Sequence, residues 1–350
     1  MNHDHRSLRS FVTRILRAGG ANEDEAVTTA EHLVLANLSG HDSHGVGLLP
    51  GYCRSLEEGK LVANQRPEVV SSFGSIAVWD GHGGFGQVIA RDAMTWAIAT
   101  AREQGVAVHG LRNTHHIGRV GADGEMAAAA GMVSVHFVNG TAGGGPVVAP
   151  FGGRESRHLT NPVCIAVPGT ATTAPVILDF ATSRIAMGKV RVAHNKGLAL
   201  MDGVLLDRDG APTTDPGVMF REPRGVVMPF GEHKGSGLAL ACDLLCGAIV
   251  GMGTLRDAAP ADHGVRNGML TFVLDPARMA SRDFMDAEID GLVAWVKSSA
   301  AIDPAAPVLV AGEPERIARA RRVAEGIPID DTTWGEILEA AARLQVRPDG

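Results

Sequence analysis

The sequence predicts an α+β protein, with helices toward both chain ends and short strands in the middle. Three observations support this fold class: helical periodicity with capping residues in the first fifty residues, helical periodicity again in residues 313–344, and short apolar segments between residues 69 and 274 that are separated mainly by Gly, Pro and Thr clusters. Short strands without long intervening helices favour antiparallel or mixed pairing over repeated βαβ units. Because 350 residues exceed the ~100–150 of a typical domain, two or three packed units are expected.

The N-terminal region is predicted to form two helices followed by a loop. Ser7 can cap the first helix, which ends at the glycine pair 19–20. Asn22 and Glu25 have the spacing of a capping box, in which each side chain bonds the backbone N–H of the other, and they begin the second helix. That helix stops before the polar residues 41–45, which are predicted to form a loop that carries chemistry.

The remaining elements follow from apolar periodicity and from breaker residues. Apolar runs predict strands over residues 76–79, 106–111, 132–138, 163–167, 176–179 and 268–274. Helical periodicity predicts helices over residues 87–103, 235–250, 313–325 and 332–344. An Ala/Pro-rich stretch at residues 300–307 is interpreted as a linker between the strand region and the last helices.

Composition and charge argue against several classes of protein. A net charge of −7 without a Lys/Arg block argues against a nucleic acid or an anionic membrane as partner. Four cysteines without a CxxC pair are interpreted as reduced thiols of a cytoplasmic protein, and the charged N-terminus lacks the apolar core of a secretory signal. The most apolar stretch, residues 237–255, contains Asp243 and several glycines and is predicted to be a buried helix rather than a membrane span.

Residues 81–86 match the GxGxxG pattern of dinucleotide-binding loops. They follow a predicted strand and precede a predicted helix, as that fingerprint requires. The next strand leads into His109 and Arg112, however, rather than into an acidic ribose ligand, and chance matches are expected among 44 glycines. We interpret the motif as a glycine-rich turn between a strand and a helix, with a Rossmann pyrophosphate site as the alternative.

Histidine lies beside or near glycine in three motifs: Ser43-His44-Gly45, His116-Ile117-Gly118 and His233-Lys234-Gly235. Histidine exchanges protons near neutral pH, and glycine allows a ligand to approach closely. Taken singly, each histidine is more often structural than functional. Together they predict a histidine-lined cleft, with a helix N-terminus at Gly235 that suits an anion such as a pyrophosphate. No HExxH motif or zinc-spaced Cys/His cluster occurs, so no metal is predicted.

With these motifs, and with Thr160-Asn161-Pro162 and Asp179-Phe180-Ala181-Thr182-Ser183, the chain resembles the malate/L-lactate dehydrogenase family. This is the non-Rossmann group of NAD(P)-dependent 2-hydroxy acid dehydrogenases and 2-oxo acid reductases. The resemblance extends from the first helix to Trp334 near the end of the chain. The forms SHGVGLLP, APFG and FGEHKG, at residues 43–50, 149–152 and 230–235, are most similar to the bacterial hydroxycarboxylate dehydrogenase B branch.

The resemblance implies a homodimer in which each chain has two units. Residues 1–72 form a helical unit that residues 300–350 complete, and residues 73–299 form an NAD(P)-binding unit with a largely antiparallel sheet and flanking helices. The implied partners are the cofactor and a small 2-oxo or 2-hydroxy acid. The sequence lacks an evident arginine cluster for a 2′-phosphate, which favours NADH over NADPH.

The resemblance also implies roles for individual residues. His44 is the expected proton donor, and Ser43 and Leu48 are expected to contact the substrate. Asp207 resembles a family aspartate near the site, with a catalytic role and a simple Asp-Gly turn as equal alternatives. The expected cofactor contacts are His116, Thr160, Asn161, Asp179, Ala181, Thr182, Ser183, His233, Lys234, Gly235, Gly312, Glu313 and Pro314.

Leu48 departs from the family pattern. Many members have at this position an arginine that can bind the substrate carboxylate, and a carboxylate removed from water still needs a cationic or multiply hydrogen-bonding partner. Arg54, Arg119 and Arg184 are the candidates for that partner. The apolar Leu48 also suits a 2-oxo acid bulkier than pyruvate. A second departure, Leu159 in place of the usual glycine, has no assigned effect.

The expected reaction is hydride transfer from C4 of the reduced nicotinamide to the ketone carbon of a 2-oxo acid, while protonated His44 donates to the developing alkoxide. Reduction of a cyclic imine, such as a piperideine or pyrroline carboxylate, also occurs in the family and is the enzymatic alternative. A catalytically silent ligand-binding protein is the alternative from another class, against which the intact His44, His116, Asp179 and Lys234 argue.

Overall fold

The fold is seen in a computed structural model that describes residues 2–141, 145–257 and 264–348. In chain order its elements are β1 (Asn2–His3), α1 (His5–Ala18), α2 (Glu23–Leu38), α3 (Leu49–Glu57), β2 (Glu68–Phe73), β3 (Ile76–Asp80), α4 (Gly86–Gln104), β4 (Val106–Thr114), α5 (Gly121–Ala129), β5 (Val133–Gly140), β6 (Val163–Val167), β7 (Val176–Phe180), α6 (Met187–Asn195), β8 (Leu205–Leu206), β9 (Pro212–Thr213), β10 (Val226–Val227), α7 (His233–Cys242), β11 (Asn267–Leu274), α8 (Arg282–Lys297), α9 (Glu313–Glu325), β12 (Ile327–Pro328) and α10 (Asp331–Arg343). Helices gather toward both ends of the chain and strands in the middle, which confirms the predicted α+β class.

The first two long helices begin at side-chain caps. Asn22 and Glu25 form the predicted capping box at the start of α2, where Glu25 N donates to Asn22 Oδ1 over 3.0 Å. The predicted cap of α1 is wrong, because Asp4 rather than Ser7 accepts the N–H groups of Arg6 and Ser7. Asp4 directly precedes the first helical residue, where a side-chain acceptor can reach these free N–H groups, whereas Ser7 already lies in the first turn.

One hydrophobic core joins the two ends of the chain. It contains Leu16, Leu33 and Leu49 from the first three helices together with Ile337 from α10. The short strands β1 and β12 also pair with each other, antiparallel. The helical part of the molecule is therefore built from both chain ends. β2 already belongs to the large sheet, so that sheet begins a few residues before residue 73, where the second unit is predicted to start.

The middle of the chain forms a seven-stranded sheet with the order β2-β3-β4-β11-β5-β6-β7. Neighbouring strands are antiparallel except β3 and β4, which run parallel and are connected by α4. The helices α4 and α5 pack on this sheet, where Ile89, Leu111, Val138 and Met269 share a buried core. The residues that follow β4 reach the helical part of the molecule, where the candidate site forms.

Residues 81–86 form the turn between β3 and α4. A Cβ at Gly81 would lie 2.5 Å from Thr114 Cγ2, and a Cβ at Gly86 would lie 2.4 Å from the His115 carbonyl oxygen. The space beside both glycines is therefore filled by the end of β4. These contacts agree with the interpretation of the motif as a glycine-rich turn, because the glycines allow the turn to pack closely on the neighbouring strand.

The most apolar stretch of the chain folds into α7 and a π-helical segment, Asp243–Ile249. Cys246 and Val250 pack with Leu270 of the sheet, while Leu244 and Ile249 on the other side are exposed. The prediction of one regular helix over residues 235–250 therefore holds only in part. Among the residues that the structure describes, no helix combines the length and the apolar character needed to cross a membrane.

The predictions omit the helices α3, α5, α6 and α8, the strands β1, β2 and β12, and a small sheet with the order β10-β8-β9. α5 and α6 are nine residues long, which is too short for a clear apolar period. α8 has sixteen residues, none of them buried in this chain. The strands of the small sheet are two residues long, so their pattern cannot be separated from that of a loop.

Candidate active site

The candidate proton donor lies on a tight turn between α2 and α3, residues 41–48, which we call the His44 turn. Asp42–His44 and Val46–Leu48 form two single turns of 3-10 helix. The His44 backbone N–H donates to the His41 carbonyl over 2.9 Å, and Ser43 Oγ lies 2.9 Å from His44 Nδ1. Because Ser43 occupies Nδ1, Nε2 is the ring nitrogen left for a substrate.

Side chains from α2 and α9 hold the His44 turn in place. Asn37 donates from Nδ2 to Asp42 Oδ1 over 2.7 Å, and its Oδ1 accepts Val46 N over 2.8 Å. Arg322 binds both Asp42 carboxylate oxygens, at 2.6 and 2.9 Å, and also donates to the Asn37 carbonyl. Glycine is required at position 45, because a Cβ there would lie 2.2 Å from Asn37 Oδ1. The turn is thus fixed by groups from both chain ends.

A second histidine faces the His44 turn from the residues after β4. The ring centroids of His116 and His44 are 5.6 Å apart, and the ring planes are inclined by 24°. Tyr52 Oη lies 2.7 Å from His116 Nδ1 and accepts Gln87 Nε2 over 2.7 Å. Because the Gln87 amide donates to the phenol oxygen, the Tyr52 hydroxyl donates to His116, which places the proton of neutral His116 on Nε2.

Burial keeps both histidines neutral in the free protein. It is the main cause that lowers the pKa of His44 to about 4, and the charges of His41, Arg119 and Lys189 act in the same direction. Burial also lowers the pKa of His116 well below its usual value. At neutral pH, His44 can therefore accept a proton directly, but it must first take one up before it can donate.

Asp179 lies near the end of β7, beside the buried Arg119 and the start of α5. Its Oδ2 accepts the Gly121 N–H, at the start of α5, over 2.8 Å. Arg119 is buried and binds Glu125 at 2.7 Å, but its Nε and Nη1 have no hydrogen-bond partner among the described residues. Burial raises the pKa of the Asp179 carboxyl, against the charge of Arg119. Since buried polar groups are rarely left unpaired, the free Arg119 donors suit a polar ligand.

Most of the other predicted cofactor residues meet at the start of α7. Thr182 N and Oγ1 donate to the Thr160 carbonyl at 2.9 and 3.0 Å, and the Thr182 carbonyl accepts Phe230 N at 3.0 Å. Asn161 Nδ2 donates to the Ala239 carbonyl over 3.0 Å, while its buried Oδ1 has no partner within the described part of the chain. The same region contains Ala181, Ser183, the exposed His233 and Lys234, and the buried Gly235.

The predicted contacts at residues 312–314 begin α9. Gly312 has a φ of +89° and directly precedes the helix, and Pro314 lies in its first turn. In the same turn, Glu315 Oε1 lies 3.0 Å from His41 Nε2. The helix α9 therefore connects the segment predicted to bind the cofactor with the turn that carries the predicted proton donor.

Asp207 and two candidate carboxylate partners have other contacts. Asp207 Oδ1 accepts two backbone N–H groups of the turn between β8 and β9, each over 2.9 Å, which agrees with the Asp-Gly turn alternative, and its catalytic role stays a prediction. Arg54 is exposed near the end of α3, and Arg184 donates to a backbone carbonyl. Of the three candidate arginines, Arg119 is the one that lowers the pKa of His44. Leu48 is partly buried against the helical core.

Sequence reasoning misses four residues of this site: Tyr52, Gln87, Lys189 and Arg322. Tyr52 is the single tyrosine of the chain and follows the SHG motif closely, which is a signal that could have identified it. The other three have no such signal. Gln87 and Arg322 act on partners that are 35 and 280 residues away in sequence, and Lys189 lies on the short helix α6.

Comparison with known proteins gives the class of the protein, a hydroxy-acid dehydrogenase with a mostly antiparallel sheet. The chain belongs to the malate/L-lactate dehydrogenase family, whose sequence model matches residues 3–338. It is 42% identical over 343 residues to hydroxycarboxylate dehydrogenase B of Escherichia coli K12, covering 97% of this chain and 94% of that protein. It is 37% identical to L-lactate dehydrogenase of Cupriavidus necator, covering 97% of each. The structure of sulfolactate dehydrogenase from Methanocaldococcus jannaschii matches with a TM-score of 0.86 and 32% identity, covering 99% of this chain and 98% of that one.

These similarities confirm the predicted family and the prediction that the protein is an oxidoreductase. The dehydrogenases of this family depend on a nicotinamide cofactor. Within the described ranges, no three His, Cys, Asp or Glu side chains are grouped so that they could hold a metal ion.

Proposed function

We propose that the protein transfers a hydride between a nicotinamide cofactor and a 2-oxo or 2-hydroxy acid, and that His44 exchanges the proton. The observation that carries the proposal is the His44 ring, bonded through Nδ1 to Ser43 and facing His116 at 5.6 Å. When bound, the cofactor supplies hydride chemistry at C4 of its nicotinamide ring. The protein must supply the proton that the carbonyl oxygen needs, and histidine does this near neutral pH.

His44 and His116 have different roles in this proposal. Ser43 can accept a hydrogen bond from His44 Nδ1 whether the ring is neutral or protonated, so the exchangeable proton is the one on Nε2. His116, by contrast, is held in one tautomer by Tyr52 and offers a fixed N–H for binding the cofactor. A proton-exchanging ring next to a fixed ring suits reversible oxidation and reduction.

The predicted cofactor residues offer groups that a dinucleotide needs. The buried Asn161 Oδ1 and Arg119 Nε are unpaired within the described residues and would be satisfied by polar ligand atoms. Asp179 provides a carboxylate that can accept ribose hydroxyls. Lys234 is exposed in the first turn of α7, where the partial positive charge of the helix end adds to its own. This set of groups fits a phosphate-containing dinucleotide, and we propose NADH rather than NADPH.

We further propose that the protein is a cytoplasmic homodimer. No residue of α8 is buried in this chain, although the helix carries large apolar side chains. Phe284, Leu292 and Trp295 are each at least 60% exposed. Exposed apolar side chains of this size commonly mark an interface, and a second copy of the chain would cover them. Light scattering of the purified protein is expected to give twice the mass of the chain.

A substrate panel tests the proposed reaction. Oxidation of NADH is expected with 2-oxo acids, most rapidly with those whose apolar side chains are bulkier than that of pyruvate. Cyclic imine carboxylates belong in the same panel, because turnover of imines alone would replace the proposal. No turnover of either class would contradict it. A fluorescence titration with NADH and NADPH tests the cofactor preference, which tighter binding of NADPH would reverse.

A further inference from the structure

Basic side chains around the His44 turn already have acidic partners: His41 with Glu315, Arg119 with Glu125, and Arg322 with Asp42. Leu48, on the same turn, packs on the helical core and offers no charge. A substrate carboxylate that leaves water for this site needs a cationic partner. Arg119 keeps two unpaired donors, but its charge is already shared with Glu125, and the proposed function assigns these donors to the cofactor.

The start of α6 lies directly on the His44 turn. A Cβ at Gly188 would be 2.3 Å from Ser43 Cβ, so the helix backbone touches the turn without a side chain between them. Farther along the helix, Arg191 Nη2 donates to the Gly47 carbonyl over 3.2 Å. Lys189 lies between these two contacts in sequence, which holds its backbone next to the residue pair Ser43 and His44.

Lys189 is a cation without a charged partner on this side of the turn. Its side chain is exposed, and none of the described residues forms an ion pair with it. Its charge contributes to the lowered pKa of His44, so the ammonium group acts electrostatically on the ring that exchanges the proton. An anion bound between Lys189 and His44 would offset the ammonium charge and so make protonation of His44 less unfavourable.

We propose that Lys189 binds the carboxylate of the substrate while Leu48 borders its side chain, which makes the substrate a 2-oxo acid with an apolar side chain. The inference rests on the proposed function and assigns the residue that recognises the acid. An ammonium group is a point charge on a flexible stem, whereas a guanidinium group binds a carboxylate through two fixed bonds. Lys189 can therefore accept acids of different shape, and selectivity comes from the apolar border.

The same arrangement connects substrate binding with protonation. A carboxylate on Lys189 neutralises a charge that lowers the pKa of His44, and its own negative charge favours the imidazolium form. His44 would then take up its proton as the 2-oxo acid binds, which is the form that reduction requires.

The test compares a 2-oxo acid with its methyl ester, which has the same ketone but no charge. Lys189→Met removes the ammonium group and is expected to lower the ratio of kcat/KM for the acid to kcat/KM for the ester about ten- to hundredfold, the range for loss of a charged hydrogen bond. Lys189→Arg is expected to recover most of the preference for the acid. Lys196→Met, at the exposed end of the same helix, is the matched control and should behave like wild type.

Two further measurements separate binding of the acid from a structural role. The KM for NADH should be unchanged in Lys189→Met, and the pH profile of ester reduction should move to higher pH, because loss of the positive charge raises the pKa of His44. If Lys189→Met raises the KM for NADH as much as it raises the KM for the 2-oxo acid, Lys189 binds the cofactor and the inference is overturned. A loss confined to diacids such as oxaloacetate would assign it to a second acidic group and would also overturn it.

An unchanged ratio of acid to ester turnover in Lys189→Met overturns the inference while leaving the proposed function intact, since the wild-type protein still reduces the acid. Lys189→Gln provides the same comparison if the methionine variant does not fold. Failure of the wild-type protein to reduce any 2-oxo acid is a different result, which contradicts the proposed function and with it the role of Lys189.

Discussion

The two sides of the His44 turn are built differently. Toward α2 and α9, the turn is held by the Asn37 side chain and by a bidentate ion pair between Asp42 and Arg322, with distances of 2.6 to 2.9 Å. Toward α6, the contacts are a close backbone approach at Gly188 and one hydrogen bond to a carbonyl, and Lys189 is exposed. The fold thus fixes the proposed proton donor from one side and leaves the charge of Lys189 exposed on the other side.

The largest expected effect comes from removing the ring between these two sides. His44→Ala should lower kcat by about 10²- to 10⁴-fold, the usual contribution of general acid–base catalysis, while NADH binding measured by fluorescence stays near that of wild type. His82→Ala is the control, because this exposed histidine lies in the glycine-rich turn and pairs with Glu68. A kcat for His44→Ala within about tenfold of wild type would show that another group moves the proton.

The charge state of His44 gives the next effect, which depends on pH. Because the pKa of His44 in the free protein is about 4, the protonated fraction falls tenfold for each pH unit above that value. The kcat/KM for reduction should therefore fall about hundredfold from pH 6.5 to pH 8.5, whereas kcat/KM for oxidation, which uses the neutral ring, should stay flat. Equal pH dependence in both directions would contradict the assignment.

Other buried histidines set the lowest pH at which these rates can be measured, because they destabilise the fold in acid. Burial lowers the pKa of His109, His115 and His136 to about 3 each. Their folded-state pKa values lie below the unfolded value near 6.5, so the unfolded chain binds protons first and stability is lost as the pH falls below about 6.5. Rates measured at more acidic pH would mix catalysis with unfolding.

Removing the ion pair that holds the His44 turn on the side of α2 and α9 should lower the stability of the fold more than the rate of the reaction. Arg322→Met removes the guanidinium group from the Asp42 carboxylate and the Asn37 carbonyl, which keep only weaker neutral donors, and we expect a loss of roughly 2–3 kcal/mol in the free energy of unfolding. The value is at the low end for a buried pair because the Asp42 side chain is 37% exposed and water can reach it. Denaturant unfolding measures it, with the exposed neighbour variant Arg321→Met as control. Equal stability of the two variants would show that the ion pair does not hold the turn.

Local signals account for the parts of the fold that the sequence predicts. The capping box of α2 involves Asn22 and Glu25, three residues apart, and the apolar runs of the main strands are visible without knowledge of their partners. The strand order is not local, because β11 inserts between β4 and β5 from more than a hundred residues away. The short helix α6, which borders the His44 turn, has too few residues for its apolar period to be recognised.

The candidate site divides in the same way. The SHG motif identifies His44, and the glycine after Ile117 draws attention to His116. Two residues support these rings indirectly, Gln87 through Tyr52 and Arg322 through Asp42, and their positions depend on the tertiary fold. Asp207 shows the opposite case, since its sequence context allows either a catalytic residue or a turn, and its contacts in the structure are those of a turn.

The smallest expected effect concerns the hydrogen bond between Tyr52 and His116, the ring that faces His44. Tyr52→Phe removes the hydroxyl that accepts from Gln87 and donates to His116, each over 2.7 Å. Both partners are then left unpaired in a buried place, which should cost about 1–3 kcal/mol of stability. Neutral His116 can then carry its proton on either nitrogen, so we expect kcat/KM to fall about tenfold, equivalent to about 1.4 kcal/mol.

Thr95→Val removes an exposed hydroxyl from α4 and is the matched control for Tyr52→Phe. Unfolding in denaturant and steady-state kinetics measured on the same preparations separate the two effects. A loss of stability with an unchanged rate would mean that the Tyr52 hydroxyl supports the fold but does not set the tautomer used in the reaction. The reaction would then not require His116 to keep its proton on one nitrogen. Orientation of His44 would depend on the contacts of the His44 turn with Asn37 and Arg322 alone.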